Sequence, residues 1–442
     1  MSSKNKTTAT TDEAKRALVP KLRFPEFQNA GDWTTEKLGA VATIQTEKVG
    51  KNICVPMSIT SGVGLVSQEE KFGRVIAGDS YKNYLLLRPN EFAYNKSATK
   101  EYPEGFLTLY TGNELAAVPN SIFTCFRINE ASPDVRFLNY QFSNNLHGRW
   151  LRKFIQVGAR ANGSLSISDN DLMALPVPLP ASAASATEQQ KIADCLSSVD
   201  ELISVQARKV NALKTHKKGL MQQLFPREGE TQPRLRFSEF QNTGKWEAQH
   251  LGDYFDPIRN GFVGTATPYY TTNDGIRYLQ GRNIKQGRIE ADNLIFITSE
   301  FHNRQRKSHL RTGDIVMVQS GHVGECAVVG PDFAGANCHA LVILTPELKL
   351  SSDFFAHYFY SPIGKLAIFQ ITTGNTIKHI LASELKTLPV LVPDLSEQQY
   401  IASCLSSLDA LITSEGQKLE ALKTHKKGLM QQLFPSSEEV EA

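Results

Sequence analysis

Basic and amide side chains gathered on short segments are the groups in this sequence best suited to holding a ligand. In the first half, Tyr94-Asn95-Lys96-Ser97-Ala98-Thr99-Lys100 follows an apolar run, and Arg149, Arg152, Lys153, Arg160 and Asn162 collect further on. The second half offers Gly281-Arg282-Asn283-Ile284-Lys285, Arg304-Gln305-Arg306-Lys307, Ser320-Gly321-His322 and Asn375-Thr376-Ile377-Lys378-His379. Arg and Lys bind phosphates or guanine edges and Asn or Gln pairs with adenine, so the pattern suits contacts to a nucleic acid. The candidates are Lys96, Lys100, Arg152, Lys153, Arg160, Asn162, Arg282, Asn283, Lys285, Arg306, Lys307, His322, Asn375 and Lys378. A loop lysine or arginine is usually just solvated, so the clusters carry this expectation and no single residue does.

Reaction chemistry has less to stand on. There is no G-x-x-x-x-G-K-S/T loop, and Gly62-Val63-Gly64 is an isolated fragment that reads as a turn. N-P-P-Y/F, H-E-x-x-H and G-x-S-x-G runs are also missing. His322, Cys326, Cys338 and His339 are metal-ligating types, but their spacing fits no standard finger and both cysteines lie in apolar, strand-like runs, so no metal is expected. None of the six cysteines forms a C-x-x-C pair, which argues against a disulfide framework or zinc ribbon and fits a reducing cytoplasm. Lys+Arg 48 against Asp+Glu 45 leaves a net charge of +3, too small to identify a partner unless the cations share a face. No apolar stretch approaches the roughly 20 residues a membrane helix needs, and Met1 to Arg16 are polar, so a soluble cytoplasmic protein is expected. With 442 residues, 41% of them hydrophobic, the chain should hold at least two domains.

An internal repeat organises these segments. Leu22-Arg23-Phe24-Pro25-Glu26-Phe27-Gln28-Asn29 returns as Leu235-Arg236-Phe237-Ser238-Glu239-Phe240-Gln241-Asn242, each copy followed by Trp33 or Trp246 and by Leu38-Gly39 or Leu251-Gly252. A longer block, Glu188 to Pro226, returns as Glu397 to Pro435, and Ala212 to Pro226 is identical letter for letter to Ala421 to Pro435. Between these frames, at about 40 to 165 and 253 to 375, the halves share little beyond short β-branched and aromatic runs broken by Gly, Pro and Asn. A constant frame around divergent inserts suggests one geometry used to read two different things.

The matched blocks read as long helices. Thr187-Glu188-Gln189-Gln190 and Ser396-Glu397-Gln398-Gln399 have the form of a capping box, and both helices should stop at Phe-Pro. Ile192, Leu196, Val199, Ile203, Val210, Leu213, Leu220 and Leu224 form a heptad seam, as do Ile401, Leu405, Leu408, Ile412, Leu419, Leu422, Leu429 and Leu433. Gln206 and Lys217 interrupt the first seam; Glu415 and Lys426 interrupt the second. Such helices would be rods of roughly 55 Å at 1.5 Å per residue, with seams narrow enough to pair with one another. An antiparallel register setting Glu415 against Lys217 and Gln206 against Lys426 is expected. The second helix ends where a third copy of the frame would begin, so the chain also looks cyclic.

The whole arrangement resembles the specificity subunit of type I DNA restriction-modification systems. The resemblance rests on the Leu-Arg-Phe-x-Glu-Phe openings, Leu175-Pro176-Val177-Pro178 with Leu388-Pro389-Val390, the E-Q-Q helix starts, and the Leu220 to Phe225 and Leu429 to Phe434 ends. Gly275 to Ile284 and Ser320-Gly321-His322-Val323-Gly324 look like the family's second recognition domain. It implies an α/β fold: a tail (1–20), a target recognition domain (21–180), a spacer helix (186–226), a linker (227–233), a second recognition domain (234–394), a second antiparallel helix (395–435) and a tail (436–442). It also implies a non-catalytic subunit that binds double-stranded DNA and recruits two methyltransferase subunits, with restriction subunits as further partners. The subunit itself would hold no cofactor: S-adenosylmethionine belongs to the methyltransferase subunit, ATP and Mg to the restriction subunit. The alternative is a duplicated coiled-coil scaffold that binds protein or ligand without recognising DNA.

Overall fold

The computed structural model describes residues 18–436 and Val440, except 61–62, 130–132, 156–164, 182, 273, 348–349 and 375–376. Residues 1–17 of the expected first tail, and all of the last tail but Ser436 and Val440, lie outside the described residues. The fold is mixed α/β and divides into two compact units, one made of the chain up to Val205 and from Leu419 on, the other of Gln206–Lys418. Each unit holds one head, the beginning of the long helix that follows it, and the end of the other long helix.

The heads repeat one topology although their sequences have diverged. In the first, an all-antiparallel sheet runs in the order Ala42–Gln45, Phe123–Ile128, Phe92–Asn95, Phe106–Leu109. In the second the order is Phe255–Asn260, Leu341–Pro346, Ile315–Val318, Cys326–Val328, again antiparallel throughout. Phe92–Asn95 and Ile315–Val318 are buried along their whole length, as expected for short apolar runs at a sheet's centre. A second four-stranded sheet in each head contains one parallel pair, Val55–Thr60 with Ala116–Val118 and Ile276–Leu279 with Asn337–Cys338. The proline-rich Pro176–Pro180 and Pro389–Val392 form two-stranded ribbons with Trp33–Lys37 and Glu247–His250, where a missing N–H is tolerated.

The long helices span Ser185–Leu224 and Leu395–Leu433, each ending one residue before Phe-Pro. Their starts differ from the expected capping boxes, because both helices begin upstream of Thr187 and Ser396. In the second, the Asp394 carboxylate caps by accepting the Glu397 N–H at 2.9 Å. This frees the E-Q-Q residues to bind the head. Arg23 donates Nε and Nη2 to the buried Glu188 carboxylate, both at 2.7 Å, and Arg236 does the same to Glu397 at 2.8 and 2.6 Å. Gln189 and Gln398 each accept a backbone N–H at 3.0 Å, from Asp134 and Ser351, which cap the helices Val135–Ser143 and Ser352–Tyr360.

The seams are fully buried near the helix ends, at Ile192, Leu196, Leu224, Ile401, Leu405 and Leu433, because there the head's aromatic core covers them too. Trp33 and Phe137 meet Phe434 in the first unit; Trp246 and Phe354 meet Phe225 in the second. Val210 is also buried, and Val199, Ile203, Leu213, Leu220, Leu408, Ile412, Leu419, Leu422 and Leu429 are half-buried. Pairing is antiparallel within each unit, but the register differs from the one expected. Gln206 donates to the Glu415 carboxylate at 2.7 Å, Lys217 reaches Asp409 at 2.5 Å, and Lys426 reaches Asp200 at 2.6 Å. Lysine's flexible stem lets Lys217 and Lys426 leave the seam for flanking carboxylates, so Gln206 and Glu415 pair with each other. The chain also closes on itself as the repeat suggested: Leu22 N–H donates to Gln432 O, and Leu235 N–H to Gln223 O, both at 2.9 Å.

Candidate nucleic-acid interface

In the second unit two of the basic segments come together. The loop after Ile315–Val318 and the segment leading to Ile380 lie side by side, joined by Ile380 N–H to Gln319 O at 3.1 Å and Gly321 N–H to Lys378 O at 3.3 Å. Gly321, Gly324 and Gly374 adopt φ of +84°, +88° and +96°, a region that favours glycine, and they turn the chain sharply enough for the two loops to meet. Gly321 and Gly324 border an open cleft of about 370 Å³ lined by His322, Lys378, Lys365, Phe369, Tyr360 and Glu325, among others. The Glu325 carboxylate is held at its edge, accepting Tyr360 Oη–H and Gln286 N–H, both at 2.8 Å, and is outnumbered by Lys365 and Lys378. His322, Lys365 and Lys378 are exposed and make no ion pair among the described residues. An open cationic concavity of this kind concentrates field and favours a polyanion.

The remaining candidates of this unit divide. Arg306 and Lys307 sit exposed on a single 3-10 turn. Arg282 donates to Asn293 O at 3.0 Å, and Lys285 pairs with Glu290 at 2.6 Å. Asn283 is a correction: it is buried, its Oδ1 accepts the Gln280 N–H at 3.0 Å and its Nδ2 donates to Glu290 O at 3.3 Å, so it is used up in shaping its own turn and cannot meet a base. Asn375 lies outside the described residues. Cys326 and Cys338 are packed in separate apolar clusters, and burial pushes both thiols up, Cys338 to about 12.

In the first unit, Lys96 occupies the corresponding place after Phe92–Asn95. Its carbonyl accepts Leu165 N–H at 2.7 Å, and its ammonium lies 3.3 Å from Asp169. Lys100 is exposed further along the loop. Arg152 anchors this loop by binding the buried Glu104 carboxylate, and the Lys153 ammonium lies 4.7 Å from the centre of the Trp150 ring. Arg160 and Asn162 lie outside the described residues. Lys365 and Phe369 were not among the candidates, since a lysine and a phenylalanine in an apolar helical stretch read as one wet residue and one core residue.

A repeated α/β head on long helices, with basic residues at matching strand ends, is the class of protein the fold defines. Comparison shows which known proteins the chain is similar to. Residues 243–424 match the type I restriction modification DNA specificity domain. The type I restriction enzyme MjaVIII specificity subunit of Methanocaldococcus jannaschii is 24% identical over 254 residues, 56% of this chain and 59% of that protein, so the match spans little more than half the length of the relative. The fold is shared with the S subunit of a type I restriction-modification system from M. genitalium, at 13% identity and a TM-score of 0.56 over 95% of this chain and 100% of that one. A chain from a type I R-M system, described for its complex assembly and conformational transition, gives a TM-score of 0.53 at 17% identity over 92% and 98%. The resemblance seen in the sequence and the expected fold class are borne out.

Proposed function

We propose that this chain is the DNA-binding specificity subunit of a type I restriction-modification enzyme. Each head reads one half of a bipartite duplex target, and the paired helices fix the gap and receive two methyltransferase subunits. The observation that carries this reading is the conserved topology of the two heads on a constant frame, with different polar side chains at corresponding loops: Lys96 to Lys100 in one, Gln319 to Glu325 in the other. Recruitment of two copies of one partner is supported by the identical blocks. Packing does not require exposed residues to match, yet Lys214, Thr215, His216 and Lys218 are repeated as Lys423, Thr424, His425 and Lys427, all exposed. The chain performs no catalysis itself; S-adenosylmethionine acts on the methyltransferase subunits, ATP and Mg on restriction subunits, in the cytoplasm. Among the described residues no helix is long and apolar enough to cross a membrane.

Mapping methylated adenines in DNA exposed to the assembled complex tests this. Replacing residues 40–165 should change one half-site and spare the other, and inserting one heptad into either long helix should change only the gap. Methylation that ignores both changes contradicts the proposal.

A further inference from the structure

The cleft of the second unit has one feature that cation chemistry does not explain. Phe369, on the helix Pro362–Gln370, is 68% exposed on its wall, whereas the preceding Ile368 is buried. The helix that carries it is held in place. Ile368 anchors the helix, and a Cβ added at Gly324 would stand 3.0 Å from Ile368 Cγ2, so the helix and the loop carrying His322 are closely packed. Lys365 lies one turn before Phe369 on the same helix face, Lys378 borders the same cleft, and exposed Ile377 precedes Lys378.

An apolar side chain flanked by unpaired cations is poorly matched to an apolar protein surface, whose burial would desolvate those charges. It is well matched to duplex DNA, where one apolar group, the thymine 5-methyl, projects into the major groove between rows of phosphates. We propose that Phe369 is a specificity-determining residue that recognises a thymine of the second half-site through its 5-methyl group, while Lys365 and Lys378 hold the adjoining phosphates. This rests on the DNA reading proposed above.

The test uses the full chain and duplex oligonucleotides carrying the mapped target, with each thymine on either strand of the second half-site replaced singly by deoxyuridine. At one position, loss of the methyl should weaken wild-type binding about fourfold, the worth of one buried methyl group. The same replacement should have no effect on Phe369→Ala, and should keep its effect in Lys378→Ala. Phe369→Ala should leave the dependence of affinity on salt unchanged, while Lys365→Ala and Lys378→Ala should each reduce the slope by about 1. If no thymine couples to Phe369 while the lysine variants lower the slope, the methyl contact is wrong and the DNA-facing cleft stands. If the lysine variants leave the slope untouched, the cleft does not face DNA and both ideas fall. Because Phe369 is exposed, its substitution leaves the core intact, and Phe369→Leu, which keeps an apolar contact, should retain part of the coupling.

Discussion

Removing the Arg236 guanidinium would expose how the frame is held. The Glu397 carboxylate is 1% exposed and takes two charge-assisted bonds from Arg236, which also donates to Thr243 Oγ1 at 2.7 Å. Arg236→Ala leaves that buried charge without its cation, a change that costs about 3–5 kcal/mol. Arg23→Ala, at the equivalent place, should cost less, because the Trp33 indole N–H still lies 3.3 Å from Glu188 Oε1, whereas Trp246 Nε1 makes no bond. The double substitution Arg236→Leu with Glu397→Leu should recover most of the loss, since neither charge is then left buried alone. Urea denaturation followed by ellipticity, with the cycle completed by the single variants, measures all three. A loss below about 1 kcal/mol for Arg236→Ala, the size typical of an exposed ion pair, would refute the reasoning.

Two further predictions concern pH. Hydrogen bonds from Gln206, Lys418 and Lys209 pull the Glu415 carboxyl down from 4.5 to about 2, so its contribution is complete above about pH 4.5 and fades as pH falls towards 2. Stability curves of the wild type and Glu415→Gln should therefore converge over that interval in urea titrations; parallel curves would sink the assignment. Burial lowers the His147 imidazole to about 4, so between pH 6.5 and 4 the unfolded chain binds a proton that the folded chain refuses. Acidification through this window should lower stability, and His147→Gln should flatten the dependence, read as the shift in urea midpoint between pH 7 and pH 5.

The frame was legible in the sequence because its parts are local and repeated. A heptad seam, a Phe-Pro stop and a duplicated Leu-Arg-Phe block are all recognisable without knowing what they touch. The helix register was not, since it depends on Asp200 and Asp409, which flank the seam and look like ordinary solvated acids. The heads resisted for a different reason: Val55–Thr60 pairs with Ala116–Val118 across a long stretch of chain, and no local pattern specifies such a partner. Asn283 and His322 look alike as loop polar residues, and only the bonds they make separate a turn's internal brace from a free side chain. Phe369 was hidden because its apolar helical setting reads as core.

Gln189 and Gln398 grip their heads by a main-chain amide, which nearly every amino acid can supply. Arg23 and Arg236, the other half of the grip, are residues of the frame itself. The polar half of the socket therefore asks little of the side chains in the module it seats, while its apolar half needs an aromatic ring where Phe137 and Phe354 stand. Selection can rewrite the rest of a module while that ring and the main-chain amide keep the joint, and new sequence preferences become available at little risk to folding.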